Sequence, residues 1–289
     1  MTAMTFEPLH AELGVRITGI DLRETLDPDT EAAIRDAIDR WSFVCFPGQA
    51  VDDARQLELT RMLGEPEPNH VVQGNEGRIE YFGTIGNVQA DGTAVGNSHR
   101  STIFLSGNFM WHSDASFKPV PADLSVMSAH EVPSEGGETE FVSLRTAWDR
   151  QSPDRQAELE PLVAIHDYVY SRSRVAPDAV SPALAASLPP VRQRLVRTNP
   201  ANGRKNLFLG SHAKTIEGWD DAKARATLDD LTDEATRPEH VLTHRWAVGD
   251  FVIWDNRCLI HRGSGYDADR HRRRMRQTRV RGRCSSLEE

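Results

Sequence analysis

The sequence predicts a mainly β fold, a β-sandwich or a jelly-roll barrel, with helices packed on the outside. Between residues 110 and 282 the chain contains many short strand candidates that turn signals separate. Two helical segments, residues 146–162 and 221–237, interrupt this series. With 289 residues, 38% of them hydrophobic, the chain is long enough to fold around one core, and we expect a single domain over residues 1–289.

The N-terminal part predicts two helices and a short buried strand between them. Residues 27–41 form an amphipathic helical run, with Asp27 or Asp29 as its N-cap. Residues 42–49 follow as a buried strand that a Pro-Gly pair stops. Residues 52–66 predict a second helix, which a glycine and a proline close.

One connection is unusually long. Residues 69–107 are rich in glycine and asparagine, and only residues 78–88 among them alternate as a strand does. Because structureless connections of this length are uncommon in compact domains, we interpret residues 69–107 as an active-site lid or a binding loop. A later segment, residues 176–190, carries four prolines, and we expect it to form a mobile loop.

Charge, hydropathy and cysteine content argue against several classes of protein. A net charge of -9 argues against a general nucleic-acid binder. No stretch approaches the roughly eighteen apolar residues of a membrane helix, and the N-terminal residues do not resemble a secretory signal. The three cysteines lie far apart, so neither a disulfide framework nor a zinc knuckle is indicated. We expect a cytoplasmic homo-oligomer, a dimer or larger, without membrane or nucleic-acid partners.

A His-x-Asp pair and a distant histidine predict a metal site. If residues 110–117 form a strand, His112 and Asp114 point to the same face, because residues two apart do so. His261, which follows the apolar segment 251–256, can complete a set of two histidines and one carboxylate. This set suits Fe(II) and leaves positions open for a bidentate co-substrate and for O2. The alternative interpretation of the His-x-Asp pair alone is a surface strand with a polar face.

Nine arginines lie between Arg262 and Arg283. On composition alone, such a cluster is also consistent with a solvated or RNA-binding tail. Its position after a candidate metal ligand favours a different role. Arg272 follows His261 by eleven residues, and Arg276 follows four residues later. A dicarboxylate co-substrate requires such a cation, because one carboxylate chelates the metal and the other needs a bidentate partner.

Four segments carry a resemblance to a known family: WHSD at 111–114, SEGGETEF at 134–141, GRKNLFLGSH at 203–212 and WDNRCLIHRG at 254–263. They resemble the taurine dioxygenase/TfdA family of 2-oxoglutarate-dependent oxygenases. The likeness covers nearly the whole chain and is strongest toward the aryloxyalkanoate (2,4-dichlorophenoxyacetate) branch. The resemblance implies a double-stranded β-helix core flanked by helices. It also implies Fe(II), with 2-oxoglutarate and O2 as co-substrates.

The resemblance implies roles for individual residues. Three residues match the family's iron ligands: His112, Asp114 and His261. Thr139 matches the threonine that hydrogen-bonds the co-substrate, and Arg272 matches the arginine that pairs with the distal carboxylate of 2-oxoglutarate. Arg276 matches the arginine that holds the anionic group of the substrate in taurine enzymes. Alternation on a strand makes Arg272, Arg274 and Arg276 the consistent set facing the cavity, although Arg273 or Arg274 takes either role if the register slips.

Three further residues are candidates for the substrate pocket. Asn108 stands four residues before His112, where the family has a pocket residue. His70 and His212 lie in segments that match the family, and the taurine enzymes contribute a polar contact from the segment around His70. The alternative interpretation is structural, since a loop asparagine is usually a turn residue and an isolated histidine is usually part of the packing.

Together these features predict an Fe(II)- and 2-oxoglutarate-dependent dioxygenase that hydroxylates a small anionic substrate such as an aryloxyalkanoate. O-dealkylation is an alternative outcome of the same hydroxylation. A sulfonate dioxygenase of the taurine type and a tailoring hydroxylase or desaturase of specialised metabolism are alternatives. Two alternatives come from other classes. A Zn(II)-dependent hydrolase could use a similar triad but would not need Thr139 or Arg272. A non-catalytic protein that binds a metal or a small acid would not need all three ligands.

Overall fold

The computed structural model describes residues 3–69, 80–176, 180–200 and 202–289. The strands in these residues are β1 (Thr5–Pro8), β2 (Val15–Thr18), β3 (Phe43–Phe46), β4 (Gly83–Gly86), β5 (Ala122–Glu131), β6 (Thr139–Ser143), β7 (Val163–His166), β8 (Val191–Arg194), β9 (Val196–Thr198), β10 (Lys205–Leu207), β11 (Ala213–Ile216), β12 (Leu242–His244), β13 (Phe251–Asp255), β14 (Leu259–Gly263) and β15 (Arg274–Arg281). The α-helices are α1 (Pro28–Trp41), α2 (Asp53–Leu63), α3 (Arg100–Leu105), α4 (Leu144–Asp149), α5 (Pro153–Leu159), α6 (Tyr168–Ser173), α7 (Pro182–Ser187) and α8 (Asp221–Ala235). Short 3-10 helices span Ser106–Phe109, Pro238–His240 and Ser286–Glu288.

A seven-stranded sheet forms the larger β layer. Its strand order is β1-β2-β3-β13-β5-β15-β4, and all neighbours are antiparallel except β2 and β3. A three-stranded antiparallel sheet, in the order β12-β6-β14, forms the second β layer. Two further sheets, the three-stranded β11-β7-β8 and the two-stranded β10-β9, complete the β structure of the described residues.

The two β layers meet face to face in a central core. On β13, Val252 and Trp254 pack in the same core as Phe141 of β6. The alternate residues of β13, Phe251 and Ile253, pack on the opposite face beneath α1 and α2. Because both faces of this central strand are covered, it is apolar without interruption. This layered arrangement is a jelly roll, and the prediction of a mainly β fold with flanking helices is confirmed.

Helices α4 and α8 cover the outer face of the three-stranded sheet β12-β6-β14. Val142 of β6 and Ile260 of β14 pack there against Leu228 and Leu231 of α8. The buried positions of α8 recur at intervals of three or four residues, as an amphipathic helix requires. The helix begins after Asp220, whose carboxylate accepts hydrogen bonds from two backbone amides of the first turn.

The helices predicted in the N-terminal part are confirmed, and Asp27 is the N-cap of α1. The segment 146–162 contains two helices rather than one, α4 and α5, because Pro153 starts a new helix after Ser152. Strand β7 ends at His166, and α6 begins two residues later at Tyr168. The proline-rich segment contains the helix α7 among its described residues.

The segment interpreted as a lid, residues 69–107, contains regular structure in its described part. Strand β4 pairs with β15 at the edge of the larger sheet, and α3 follows before the cluster of functional residues. Strand β4 lies within residues 78–88, where the sequence predicted a strand, whereas the helix α3 was not predicted; the interpretation of residues 69–107 as a lid stays a prediction. Residues 70–79, and His70 with them, lie outside the described residues.

Two exclusions made from the sequence concern membranes and disulfides. Within the described ranges, no helix combines the length and the apolar character that crossing a membrane requires. All three cysteines are free thiols; Cys45 and Cys258 are buried, and Cys284 is partly exposed.

Candidate active site

A backbone bridge between two distant segments brings His112 and His261 together. Each residue donates its N–H to the carbonyl oxygen of the other, at 2.9 and 2.8 Å, and the ring centroids are 4.3 Å apart. Oδ1 of Asp114 lies 3.7 Å from Nε2 of His112 and 3.9 Å from Nε2 of His261. Each of the three residues thus offers one ligand atom, and these atoms lie within 4.8 Å of one another. We call these residues the His-Asp-His cluster.

The local conformation around His112 differs from the expected strand. Only His112 forms a β-bridge, and the chain turns directly after Ser113, whose hydroxyl donates to the carbonyl oxygen of Asn256. Ala115 has a φ of 55°, in the left-handed region. His112 and Asp114 therefore converge because of a tight turn and not because of strand alternation. Gly210 permits this packing, since a Cβ there would lie 3.1 Å from Cα of His112.

The protonation states of the cluster suit a divalent metal. Nδ1 of His112 donates to the carbonyl oxygen of Met110 at 2.8 Å, so its Nε2 keeps the lone pair. Burial lowers the pKa of His112, and burial together with the neighbouring His112 lowers the pKa of His261 to about 3. Burial acts to raise the pKa of Asp114, but His261 and His112 outweigh it and bring this pKa to about 2. At neutral pH the cluster presents two neutral imidazoles and one carboxylate.

Neighbouring polar groups hold the second oxygen of Asp114. Oδ2 accepts hydrogen bonds from Oγ of Ser125 at 2.6 Å and from Nε2 of Gln277 at 2.7 Å. Asn256 in turn donates to Ser125 and accepts from Nε1 of Trp254 at 3.0 Å. This network orients the carboxylate, so that Oδ1 faces the two imidazoles.

A cleft of about 730 Å³, part of it open to solvent, lies beside the cluster. Its apolar wall includes Ile85, Leu105, Phe109 and Met127. Polar side chains in the cleft, outside the cluster, include those of Asn108, Thr139, Tyr266, Arg273 and Gln277. A mostly apolar cleft with a few polar groups is typical of a site for a small organic molecule.

The guanidinium in the cleft belongs to Arg273. This residue is only 7% exposed, and burial lowers its pKa to about 10. Its side chain donates to the carbonyl oxygens of Ile85 and Gly137 at 3.4 Å, which is long for a hydrogen bond. None of the described carboxylates forms an ion pair with it. Asn87 clamps its backbone, accepting from its N–H at 2.8 Å and donating to its carbonyl oxygen at 3.0 Å.

The expectation that Arg272, Arg274 and Arg276 face the cavity is wrong. Arg272 has a half-exposed side chain that pairs with Glu131 at 2.5 Å, and Arg274 approaches the same carboxylate at 3.7 Å. Arg276 extends toward α2, where it pairs with Asp53 at 2.5 Å. All three guanidiniums lie outside the cleft, so the roles expected of Arg272 and Arg276 are not supported by their positions.

The alternation on β15 holds, but its phase is the opposite of the expected one. Met275 is buried in the central core, and the neighbours two residues away, Arg273 and Gln277, share its side of the chain. The sequence contained a signal for this phase, because Met275 is the apolar residue that a strand would bury. The guanidinium that lies in the cleft follows His261 by twelve residues and not by the expected eleven.

Thr139 and Asn108 both line the cleft, as expected. Thr139 begins β6, and the pairing of β6 with β14 places it opposite Gly263, two residues beyond His261. Its hydroxyl accepts a hydrogen bond from Nε1 of Trp246 at 2.9 Å, so its own proton is available to an acceptor.

His212 lies behind His112 rather than in the cleft. The two rings meet edge to face with centroids 6.2 Å apart, and Nδ1 of His212 is 2.8 Å from Oγ of Ser171. The ring also stacks on Tyr168 and contacts Phe117 edge to face. His212 thus supports the ring of His112 by packing. The position of His70 falls outside the described residues.

Sequence reasoning missed three residues around the cluster. Gln277 could have been found from the sequence, because it lies two residues from Met275 on the same strand and therefore shares the buried side of that strand. Ser125 and Arg172 carry no motif, and they approach the cluster or the cleft from β5 and α6 only after folding.

Known sequences and structures agree with this architecture. Residues 5–279 match the family described as "Taurine catabolism dioxygenase TauD, TfdA family". The chain is 39% identical over 274 residues to an alpha-ketoglutarate-dependent 2,4-dichlorophenoxyacetate dioxygenase of Cupriavidus pinatubonensis, covering 94% of this chain and 96% of that protein. It is 34% identical over 276 residues to an (S)-phenoxypropionate/alpha-ketoglutarate-dioxygenase of Delftia acidovorans, covering 92% and 91%.

Solved structures of similar proteins extend this agreement to the fold. The crystal structure of AAD-2 in complex with Mn(II) and N-oxalylglycine superposes with a TM-score of 0.90 at 33% identity, covering 99% of this chain and 100% of the other. A taurine dioxygenase from Burkholderia xenovorans superposes with a TM-score of 0.77 at 25% identity, covering 96% and 91%. The family match, these identities and the shared fold lead to one conclusion. The chain belongs to the taurine dioxygenase/TfdA family of Fe(II)- and 2-oxoglutarate-dependent dioxygenases.

Proposed function

We propose that this dioxygenase oxidises a small carboxylic acid of the aryloxyalkanoate class, with iron held by the His-Asp-His cluster. One observation carries the proposal: the cluster, whose two histidines are buried, lies in the same cleft as Arg273, a buried cation that pairs with none of the described carboxylates. An uncompensated buried cation is costly, so its presence supports a site for an anionic ligand. A metal beside an anion site is what a 2-oxoglutarate-dependent enzyme needs.

The donor set of the cluster fits Fe(II). Two imidazole nitrogens and one carboxylate oxygen form the two-His, one-carboxylate set of non-haem iron oxygenases, which leaves coordination positions open. The pKa directions of all three residues favour the forms that bind a metal. When bound, Fe(II) and 2-oxoglutarate supply the oxidation of a substrate C–H bond by O2, with release of succinate and CO2.

Arg273 is the residue we assign to the distal carboxylate of 2-oxoglutarate. Its two side-chain hydrogen bonds are long and go to neutral carbonyl oxygens, so they leave its charge unbalanced. A carboxylate can accept two parallel hydrogen bonds from one guanidinium, and such charge-assisted pairs are short and strong. The clamp by Asn87 on its backbone would hold the arginine in place before the co-substrate arrives.

Other side chains of the cleft would orient the reactants. The hydroxyl of Thr139 can donate its proton to a co-substrate carboxylate, because it already accepts from Trp246. Ser125 and Gln277 hold Oδ2 of Asp114 and thereby leave Oδ1 for the metal. The apolar wall around Met127 and Phe109 would limit the entry of water to the reacting carbon.

The substrate class rests on the chemistry of the cleft and on the relatives. Its apolar wall suits a ring or an alkyl chain, and the relatives above are named for 2,4-dichlorophenoxyacetate and phenoxypropionate. If the hydroxylated carbon carries an ether oxygen, the product collapses to a carbonyl compound and a phenol. We therefore propose oxidative removal of the side chain as the outcome for an aryloxyalkanoate.

Substrate-dependent turnover tests the proposal. Purified protein with Fe(II) and 2-oxoglutarate is given phenoxyacetate, 2,4-dichlorophenoxyacetate, phenoxypropionate or taurine, and succinate, O2 uptake and phenol are measured. We expect the aryloxy acids to raise succinate formation at least about tenfold above the rate without substrate. Stimulation by taurine alone would favour the sulfonate reaction instead. Succinate formation that no acid stimulates would overturn the proposed substrate class.

Three further expectations belong to the proposal and have their own measurements. A single domain over residues 1–289 should unfold in one cooperative transition in calorimetry. A homo-oligomer should give a mass that is a multiple of 32.3 kDa in sedimentation equilibrium. A cytoplasmic location with reduced thiols should be apparent in cell fractionation and thiol labelling.

A further inference from the structure

Five arginines are buried in the part of the chain that the structure describes. Three of them pair with carboxylates: Arg145 with Asp255, Arg197 with Glu289 and Arg279 with Glu67. The other two, Arg172 and Arg273, have no ion pair with any described carboxylate. Both contact the cleft or a residue that lines it. A buried cation without a counter-ion indicates that a ligand supplies the negative charge.

Arg172 is positioned by α6 and is 8% exposed. One terminal nitrogen donates to the carbonyl oxygen of Phe104 at 3.2 Å, and the other donates to Oδ1 of Asn108 at 2.9 Å. The guanidinium lies over the rings of Phe104 and Tyr168, with 5.1 and 5.3 Å to their centroids. These contacts hold the side chain in one place, but none of them neutralises its charge.

Gly107 allows this approach. A Cβ at that position would lie 1.9 Å from the terminal nitrogen of Arg172, so any other residue would displace the guanidinium. The backbone next to Asn108 is therefore shaped to admit the cation.

The contact with Arg172 decides how Asn108 faces the cleft. A guanidinium has only donors, so the amide oxygen of Asn108 must point toward Arg172. Asn108 also lines the cleft that contains His112 and Asp114. Its amide N–H groups are therefore the polar atoms that it can offer to a ligand there. The positive charge behind the amide strengthens its attraction for an anion.

We propose that Asn108 and Arg172 form the anion subsite for the carboxylate of the primary substrate. Asn108 donates to that carboxylate, and Arg172 is a positioning residue that orients the amide and supplies positive charge behind it. This inference rests on the proposed function and defines the substrate specificity of the same cleft. It replaces the role that the sequence suggested for Arg276, which is paired with Asp53 outside the cleft.

The number of cations in the cleft supports a separate subsite. One carboxylate of 2-oxoglutarate is assigned to the metal and the other to Arg273. Because both partners are then occupied, the carboxylate of the substrate needs a different cation. Gln277, which faces the cleft from β15, is neutral and already donates to Asp114. Among the described residues, Arg172 is the remaining buried cation without a carboxylate, and it reaches the cleft through Asn108.

Paired variants test the subsite with phenoxyacetate and its neutral amide as probes. Arg172→Met removes the charge but keeps an apolar side chain against Phe104 and Tyr168. Asn108→Asp is isosteric and can still accept from Arg172, but it replaces the donor by an anion. The matched control is Arg174→Met, because Arg174 is exposed and lies over Tyr170.

Both variants should lower kcat/KM for phenoxyacetate about ten- to a hundredfold, the effect of losing a charge-assisted hydrogen bond. For the amide, kcat/KM should change less than about threefold, and the KM for 2-oxoglutarate should remain at the wild-type value. Arg172→Lys should recover part of the loss with the acid, and Arg174→Met should behave as wild type. Equal losses for the acid and the amide would assign Arg172 a purely structural role and overturn the subsite.

A binding measurement separates this inference from the proposed function. Phenoxyacetate is titrated calorimetrically into the full-length protein loaded with Mn(II) and N-oxalylglycine. We expect Arg172→Met to weaken phenoxyacetate binding at least about tenfold while the binding of N-oxalylglycine is retained. If this occurs but wild type does not oxidise phenoxyacetate, the proposed reaction fails and the subsite stands. If wild type oxidises phenoxyacetate and Arg172→Met binds it equally well, the subsite fails and the proposed function stands.

Discussion

Gln277 donates a hydrogen bond of 2.7 Å to Oδ2 of Asp114. Ser125 binds the same oxygen at 2.6 Å, so two protein donors hold one side of the carboxylate while its other oxygen faces His112 and His261. Gln277 shares its side of β15 with Met275, which is buried in the central core. The orientation of a proposed metal ligand is thus tied to the packing of a core strand.

Gln277→Leu should weaken metal binding without unfolding the protein. Leucine fills a similar volume but cannot donate to Asp114, and loss of such an outer hydrogen bond lowers metal affinity about ten- to a hundredfold. Titration with Mn(II) measures this change. Arg274→Leu is the matched control, because Arg274 is on the same strand but its side chain is outside the cleft. Equal Mn(II) affinity in Gln277→Leu and wild type would contradict the role of this hydrogen bond.

Arg273→Gln should raise the KM for 2-oxoglutarate, whereas Arg272→Gln should leave it nearly unchanged. Arg273 is buried in the cleft, and loss of a charge-assisted fork there is expected to cost about ten- to a hundredfold. Arg272 forms an exposed pair with Glu131, and solvent and salt screen contacts of this type. Steady-state kinetics at saturating substrate compares the two variants. A larger effect in Arg272→Gln would restore the register expected from the sequence.

Replacing any member of the His-Asp-His cluster with alanine should abolish turnover. The more specific expectation concerns stability, because a metal that binds only the folded state raises Tm. Mn(II) should therefore raise the Tm of wild type and of a His10→Ala control, but not that of His112→Ala, Asp114→Ala or His261→Ala. Thermal melts with and without Mn(II) measure the difference. If Mn(II) raises the Tm of any of the three variants as much as that of wild type, the replaced residue is not a metal ligand.

Asp123 should make stability depend on pH in a specific window. Burial raises its pKa to about 6; Arg257 acts against this shift and Asp255 adds to it. Between about pH 4 and pH 6 the folded protein then keeps a proton that the unfolded chain has lost, so wild-type stability falls as pH rises. Asp123→Asn removes the titrating carboxyl and, with it, this part of the pH dependence of stability.

The free energy of unfolding of Asp123→Asn, minus that of wild type, should therefore increase from pH 4 to pH 6 by about 1–3 kcal/mol. Urea denaturation at several pH values measures it. A difference that stays constant or decreases over this range would contradict the raised pKa.

Local patterns in the sequence determined much of the chemistry of this protein. The caps of α1 and α2 follow from residues within one turn of each helix. The grouping of His112, Asp114 and His261, and the place of Thr139 in the cleft, followed from motifs and from the family resemblance. The caps and the His-x-Asp pair depend on residue type and short spacing, which are read directly from the sequence. Thr139 and the distant His261 were assigned to the site with the help of the family resemblance.

The tertiary structure decided which arginines enter the cleft. A side-chain period of two says that alternate residues of β15 share a face, but it does not say which face is inside. Packing chooses the phase: Met275 enters the central core, and Arg276 is left to pair with Asp53 of α2. The role proposed for Arg172 has the same origin. It meets Asn108 across 64 positions of the chain, a contact that arises only when α6 packs beside the cleft.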